Sequence, residues 1–219
     1  MWKNILNGIA AGVLISIGGT VFLACENRYV GAVLFTVALL CICIMGYALY
    51  TGKVCYMIEK HDKDAFSLLL LCLLGNLVGT YAIGTLLRFA IPTLQQTAEA
   101  LCRGKLEGQA LWQTLVRGIM CGILIYLAVV IYRDKKTIAG IVFCIPVFIL
   151  CGFEHSIADM YYFAVSGIVS FDALIFIWMV VLGNSIGGLL LPFIQWLAGK
   201  ATRPKEVKEP SESEAEKTE

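Results

Sequence analysis

The sequence predicts an all-α membrane protein: six transmembrane helices forming two inverted three-helix repeats, with the second and fifth helices broken. Three observations carry that prediction. At 59% hydrophobic residues and a mean hydropathy of +0.81 over 219 residues, the chain is too apolar for a soluble domain and about long enough for one compact membrane domain. Its apolar runs fall into two groups of three on either side of the polar stretch 92–110. Motifs in the first group return in the second at a nearly constant shift.

The first run, 5–25, is long enough to cross a bilayer and lacks a good cleavage site, so it is retained as the first helix rather than as a signal peptide. The remaining runs are 30–58, 65–91, 111–132, 137–168 and 172–199. Two of them are too long for simple helices: 137–168 would extend about 48 Å against a hydrocarbon core of about 30 Å. Breaks are therefore expected at Gly46-Tyr47-Ala48-Leu49-Tyr50-Thr51-Gly52 and around Gly152-Phe153-Glu154-His155, with Pro146 upstream of the latter. These places lie 106 residues apart. Residues 200–219, ending PSESEAEKTE, carry too little apolar surface to fold and read as a disordered, charged cytoplasmic tail on a channel domain of residues 1–199.

The repeat rests on two matches. A shift of 110 superimposes Gly8-Ile9, Gly12 and Leu14-Ile15 on Gly118-Ile119, Gly122 and Leu124-Ile125. A shift of 108 superimposes Gly75-Asn76 and Gly79 on Gly183-Asn184 and Gly187. Small residues at this spacing also promote close helix packing, which is compatible with a repeat. Because three is odd, the second copy must be inverted. Orientation follows from the basic residues. Lys3, Lys53, Lys60, Lys63, Arg133, Lys135, Lys136 and the lysines and arginine of the tail fall on one side. Arg28, Arg88, Arg103, Lys105 and Arg117 fall on the other. Both termini are thus expected in the cytoplasm.

Chemistry is expected where the breaks meet. Glu154 and His155 are ionisable groups inside an apolar run, where charge is costly and marks a pathway for ions, protons or small polar solutes. Interrupted helices at matching repeat positions point to the same place, between the second and fifth spans. Nine scattered cysteines without a CxxC pair, and only two histidines, read as small buried apolar residues; neither a metal nor a cofactor is expected. Two rivals remain open. Ser185 within Gly183-Asn184-Ser185-Ile186-Gly187, with His155, allows an intramembrane serine hydrolase; a pore for water or neutral solutes is the other.

The motifs themselves are recognisable. Gly152-Phe153-Glu154-His155-Ser156-Ile157-Ala158-Asp159-Met160 resembles the GFEHSIANM signature of the formate/nitrite transporter family, and Gly46–Gly52 resembles its G-x-[DES]-L-F-T-G loop. Arg117–Gly122 is similar to R-G-I-L-C-N, and Gly183–Gly188 to G-N-x-I-G-G, so the resemblance spans nearly all of residues 1–199. It implies an aquaporin-like protomer in a homopentamer of the inner (plasma) membrane, with lipid around it and no nucleic-acid partner. One pore per subunit would pass small monovalent anions such as formate, nitrite or hydrosulfide.

The resemblance also implies roles. His155 takes the mid-pore histidine, and Thr51 the loop threonine able to hydrogen-bond it. Leu49 and Phe148 take one hydrophobic constriction, Phe35 and again Phe148 the other. Lys105, with Arg103 as fallback, takes the vestibule lysine that attracts anions. Glu154 is expected to accept bonds from backbone groups, and Asn184 to be a structural polar residue near the site. The chain departs from the family's pattern at Ala48, at Gly122 in place of Asn, and at Asp159 in place of Asn. On a regular helix Asp159 would share a face with His155 and favour its protonated ring. The histidine would then either hand a proton to the anion or only donate a hydrogen bond to it.

Overall fold

Apolar runs in a bilayer must satisfy their own backbone hydrogen bonds, and here they do so as helices. The computed structural model describes residues 2–58 and 62–199; the tail expected at 200–219 lies outside the described residues. The helices are α1 (Trp2–Ala24), α2 (Arg28–Met45), α3 (Tyr50–Lys53), α4 (Lys63–Ala90), α5 (Pro92–Glu107), α6 (Leu111–Lys135), α7 (Ala139–Leu150), α8 (Ser156–Ser166) and α9 (Phe171–Leu197). A 3-10 turn, Val54–Ile58, follows α3. Among the described residues, five helices are long and apolar enough to cross a membrane: α1, α2, α4, α6 and α9. Short polar side chains start several of them. Asn27 accepts from the amides of Tyr29 and Val30, Asp62 from Ala65 and Ser170 from Ala173.

Two runs divide. The run 30–58 covers all but the first two residues of α2, with α3 and the 3-10 turn, and the run 137–168 contains α7 and α8. Neither α7 nor α8 is long enough to span alone. All 11 residues of α8 are buried, which makes it the centre of the protein rather than a lipid-facing span. The stretch 92–110, apparently only polar, holds a further helix. In α5, Pro92 starts the helix and Leu94, Ala98 and Cys102 recur at a helical period on its buried side, while the opposite side is charged enough to hide it from hydropathy.

Two helix pairs form the frame, α1 on α4 and α6 on α9. Both approach so closely that a Cβ at Gly75 would meet the Ile5 carbonyl and one at Gly183 the Leu115 carbonyl, contacts only glycine allows. The outward faces carry exposed apolar side chains such as Leu70 and Leu74 of α4 and Trp178 and Leu182 of α9, suited to lipid. Enclosed by these pairs, α8 packs on α4, α5, α1 and α9.

Candidate functional site

Two interruptions shape the centre. α2 ends at Gly46 (φ 71°), where the Tyr47 amide donates to the Ile42 carbonyl at 3.0 Å. α7 ends just before Gly152 (φ 70°), where the Phe153 amide donates to the Phe148 carbonyl at 2.9 Å. A Cβ on either glycine would meet nothing within 4 Å, so the left-handed backbone, not lack of space, selects glycine.

Beyond each turn the backbone leaves the helical ladder and needs other partners. Two asparagines supply them. Asn76 Oδ1 accepts from the Tyr50 amide, and its Nδ2 donates to the Gly8 and Ala48 carbonyls, all at 2.8 Å. Asn184 Oδ1 accepts from the Ser156 amide at 2.8 Å, and its Nδ2 donates to the carbonyls of Gly118 at 2.9 Å and Glu154 at 2.8 Å. Asn184 was expected near the site. Asn76 was missed, although the shift of 108 residues that pairs the two Gly-Asn dipeptides was the signal for it.

His155 caps α8. Its Nδ1 accepts from the Ala158 amide at 3.2 Å, and its Nε2 lies 2.9 Å from Thr51 Oγ1. With Nδ1 occupied as an acceptor, the neutral ring carries its proton on Nε2 and donates it to Thr51; the tautomer follows from the partners. Phe148 stacks on the imidazole at 5.7 Å between centroids, and Phe35 meets Phe148 edge-on at 6.3 Å. All of these side chains, with Leu49, are buried.

Two cavities flank this group. The larger, of about 350 Å³, is lined by Lys105, Arg117, Phe148, Glu154, His155 and Asp159 among others. The smaller, of about 190 Å³, is lined by Leu49, Gly52, Lys53, Val129, Arg133 and Lys136 among others. Arg117 and Arg133 share α6, and their separation along it corresponds to about 24 Å, so the cavities lie toward opposite ends of that helix.

Lys105 sits on α5 and is engaged. Its ammonium pairs with Glu154 and with Asp159 Oδ1, the latter at 3.1 Å. Arg103, its fallback, pairs instead with Glu99 on an exposed face at 2.9 Å. The carboxylate of Glu154 is held by side chains rather than by backbone groups as expected: Lys105 and the Gln109 amide, the latter at 3.0 Å. The unforeseen helix α5 is the reason, since it carries Lys105 to the break. Asp159 likewise turns to Lys105, while the His155 ring points to Thr51 and back to its own helix. At Gly122 a side chain would collide with backbone of Asn184 and Gly188, so close packing of α6 on α9 accounts for the missing asparagine. Ser185 Oγ donates to the Val181 carbonyl at 2.6 Å and meets the Tyr50 hydroxyl at 2.8 Å, an arrangement of packing rather than of a nucleophile beside His155.

A helical membrane protein with a buried histidine between two cavities, and no nucleophile–base pairing at its one candidate serine, has the build of a transport protein. Comparison with known proteins gives the family. The family description "Formate/nitrite transporter" matches residues 1–197, and the chain belongs to that family. It is 29% identical over 188 residues to the uncharacterized transporter YwcJ of Bacillus subtilis (strain 168), covering 75% of this chain and 73% of that protein. It is 27% identical over 189 residues to formate-nitrite transporter 2 of Toxoplasma gondii (strain ATCC 50611 / Me49), covering 75% of this chain and 40% of that one. Its fold is similar to that of a pentameric formate channel solved with formate bound, at a TM-score of 0.75 and 24% identity, over 90% of this chain and 97% of that one. A second solved structure, an FNT family ion channel, also gives a TM-score of 0.75 at 22% identity, over 90% of this chain and 88% of that one. The family and its structural neighbours are transporters and channels rather than enzymes, so the hydrolase reading is set aside.

Proposed function

We propose that the protein passes small monovalent weak-acid anions, formate, nitrite or hydrosulfide, through a pore in each subunit of a homopentamer in the inner (plasma) membrane. The observation that carries this is His155, donating to Thr51 across the two breaks, with a cavity on either side. In this reading residues 1–199 form six spans in two inverted repeats, aquaporin-like, with α2–α3 and α7–α8 as the broken pair. The mirrored roles of Asn76 and Asn184 support that symmetry. Both termini are cytoplasmic, residues 200–219 are a charged tail, and lipid surrounds the assembly. Likeness to a pentameric formate channel supports the oligomer and the substrate class.

Lys105, together with Arg28 and Arg117 at the outer cavity, raises the local concentration of anions. Phe35, Phe148 and Leu49 then oppose passage of a bare ion, because stripping water from a charge costs many kcal/mol. His155 lowers that barrier. Since its Nδ1 is committed to the cap of α8, the ring works through Nε2–H, as a donor to the anion at the crossing, displacing Thr51. Glu154, Asp159 and Asn184 hold the surrounding backbone and Lys105.

The test is flux in proteoliposomes of formate, nitrite, hydrosulfide, acetate and chloride across pH, with His155→Asn beside the wild type. The small weak-acid anions should lead, and the substitution should slow them by at least about tenfold. Insensitivity of all five to both pH and the substitution would discard the histidine mechanism. Osmotic water flux that survives the substitution, without anion flux in either protein, would favour a neutral-solute pore instead.

A further inference from the structure

We propose that Asp159 sets how strongly the cavity beside Lys105 draws anions, and is a specificity-determining residue; the inference rests on the transport reading above.

One ammonium here faces two carboxylates. Lys105 Nζ pairs with Glu154 and with Asp159 Oδ1 at 3.1 Å, and the three side chains are 15%, 3% and 1% exposed. So little water reaches them that their charges act on one another with weak screening. A single carboxylate already offsets the lysine. Glu154 is well placed to be that one, since the Gln109 amide also holds it at 3.0 Å. The second carboxylate therefore leaves the group with one negative charge in excess, beside the cavity that His155 lines.

Asp159 is poorly used as scaffold. Its Oδ2 is buried and accepts no hydrogen bond among the described residues. An asparagine, the residue of the family motif this segment resembles, would keep an oxygen for Lys105 without the charge. Arg28 and Arg117 also line the cavity, and Arg28 is bonded to the Ile149 carbonyl at 3.0 Å. With all five groups charged the cavity is positive by one unit; without Asp159 it is positive by two. An anion is thus still drawn to the cavity, but less strongly at Lys105, the cation that α5 carries to the break.

The experiment compares wild type with Asp159→Asn at one pH. Initial rates of uptake are measured against formate concentration in proteoliposomes, at low and high potassium gluconate, with formamide as a solute of the same shape and no charge. The variant should half-saturate at a formate concentration lower by on the order of tenfold at low salt. The maximal rate should move less, the gap should close at high salt, and formamide should be unchanged. Equal half-saturation and equal salt dependence in the two proteins would overturn the proposal, as would a change in formamide of the same size as that in formate.

Thermal stabilisation of the detergent-solubilised protein by formate reads binding without transport. If neither protein moves anions, the transport reading falls, and a larger, salt-sensitive stabilisation of the variant would still uphold the charge effect; an equal stabilisation would overturn it. Asp159→Ser is a second neutral variant with the same expectation. Failure of both variants to fold would assign Asp159 a structural role and overturn the proposal.

Discussion

At the scale of single residues, the centre depends on one hydrogen bond that joins distant parts of the chain. Thr51 Oγ1 and His155 Nε2 meet at 2.9 Å, both buried. A valine has nearly the same shape as threonine but no hydroxyl, so Thr51→Val strands a buried N–H at a cost of about 1–3 kcal/mol. The unfolding temperature in detergent should fall and anion flux should change, while Thr51→Ser should restore both. Wild-type stability in Thr51→Val would mean that the bond contributes nothing. His155 and Thr51 were legible as a pair because the motifs carrying them are distinctive. The engagement of Lys105 by two carboxylates was not, since no spacing rule links Lys105 to Glu154 and Asp159 across the two intervening helices, α6 and α7.

At the scale of elements, the two breaks are held alike. Each is made by a left-handed glycine followed by an asparagine-bonded segment. Gly152→Ala meets no clash, so its cost is conformational strain alone, about 1–2 kcal/mol, visible as a lower unfolding temperature. No change would mean that the turn relaxes freely. Asn76→Ala and Asn184→Ala each remove three side-chain hydrogen bonds to backbone groups at and around a break. Both should destabilise strongly and by similar amounts, measured by the yield of folded protein in mild detergent; a mild effect at one position only would argue against equivalent roles. Hydropathy found the long runs because lipid rewards apolar length. It missed α5 because a helix packed against protein on one side and charged on the other has a low mean hydropathy.

At the scale of the whole molecule, apolar side chains cover much of the outside, for example Leu70, Leu74, Trp178 and Leu182. Lipid and neighbouring subunits both suit such surfaces, and the pentamer proposed above shares them between the two. Native mass spectrometry from detergent should give five times the 24.0 kDa of the chain. A monomer, or any other closed ring under conditions that preserve activity, would remove the pentamer from the account.

The membrane class, the helical content and the family were contained in the sequence alone, because they follow from composition, from apolar length and from local motifs. Hydropathy is summed along the chain, and a motif is read within a few residues, so both survive without three-dimensional information. The pairing of Thr51 with His155 was implied by the motifs, but tertiary structure alone decided the other partners of the buried polar groups: the two breaks for Asn76 and Asn184, and Lys105 for Glu154 and Asp159. Such pairings depend on helix direction and depth, and groups that water cannot reach must find their partners wherever the fold brings them.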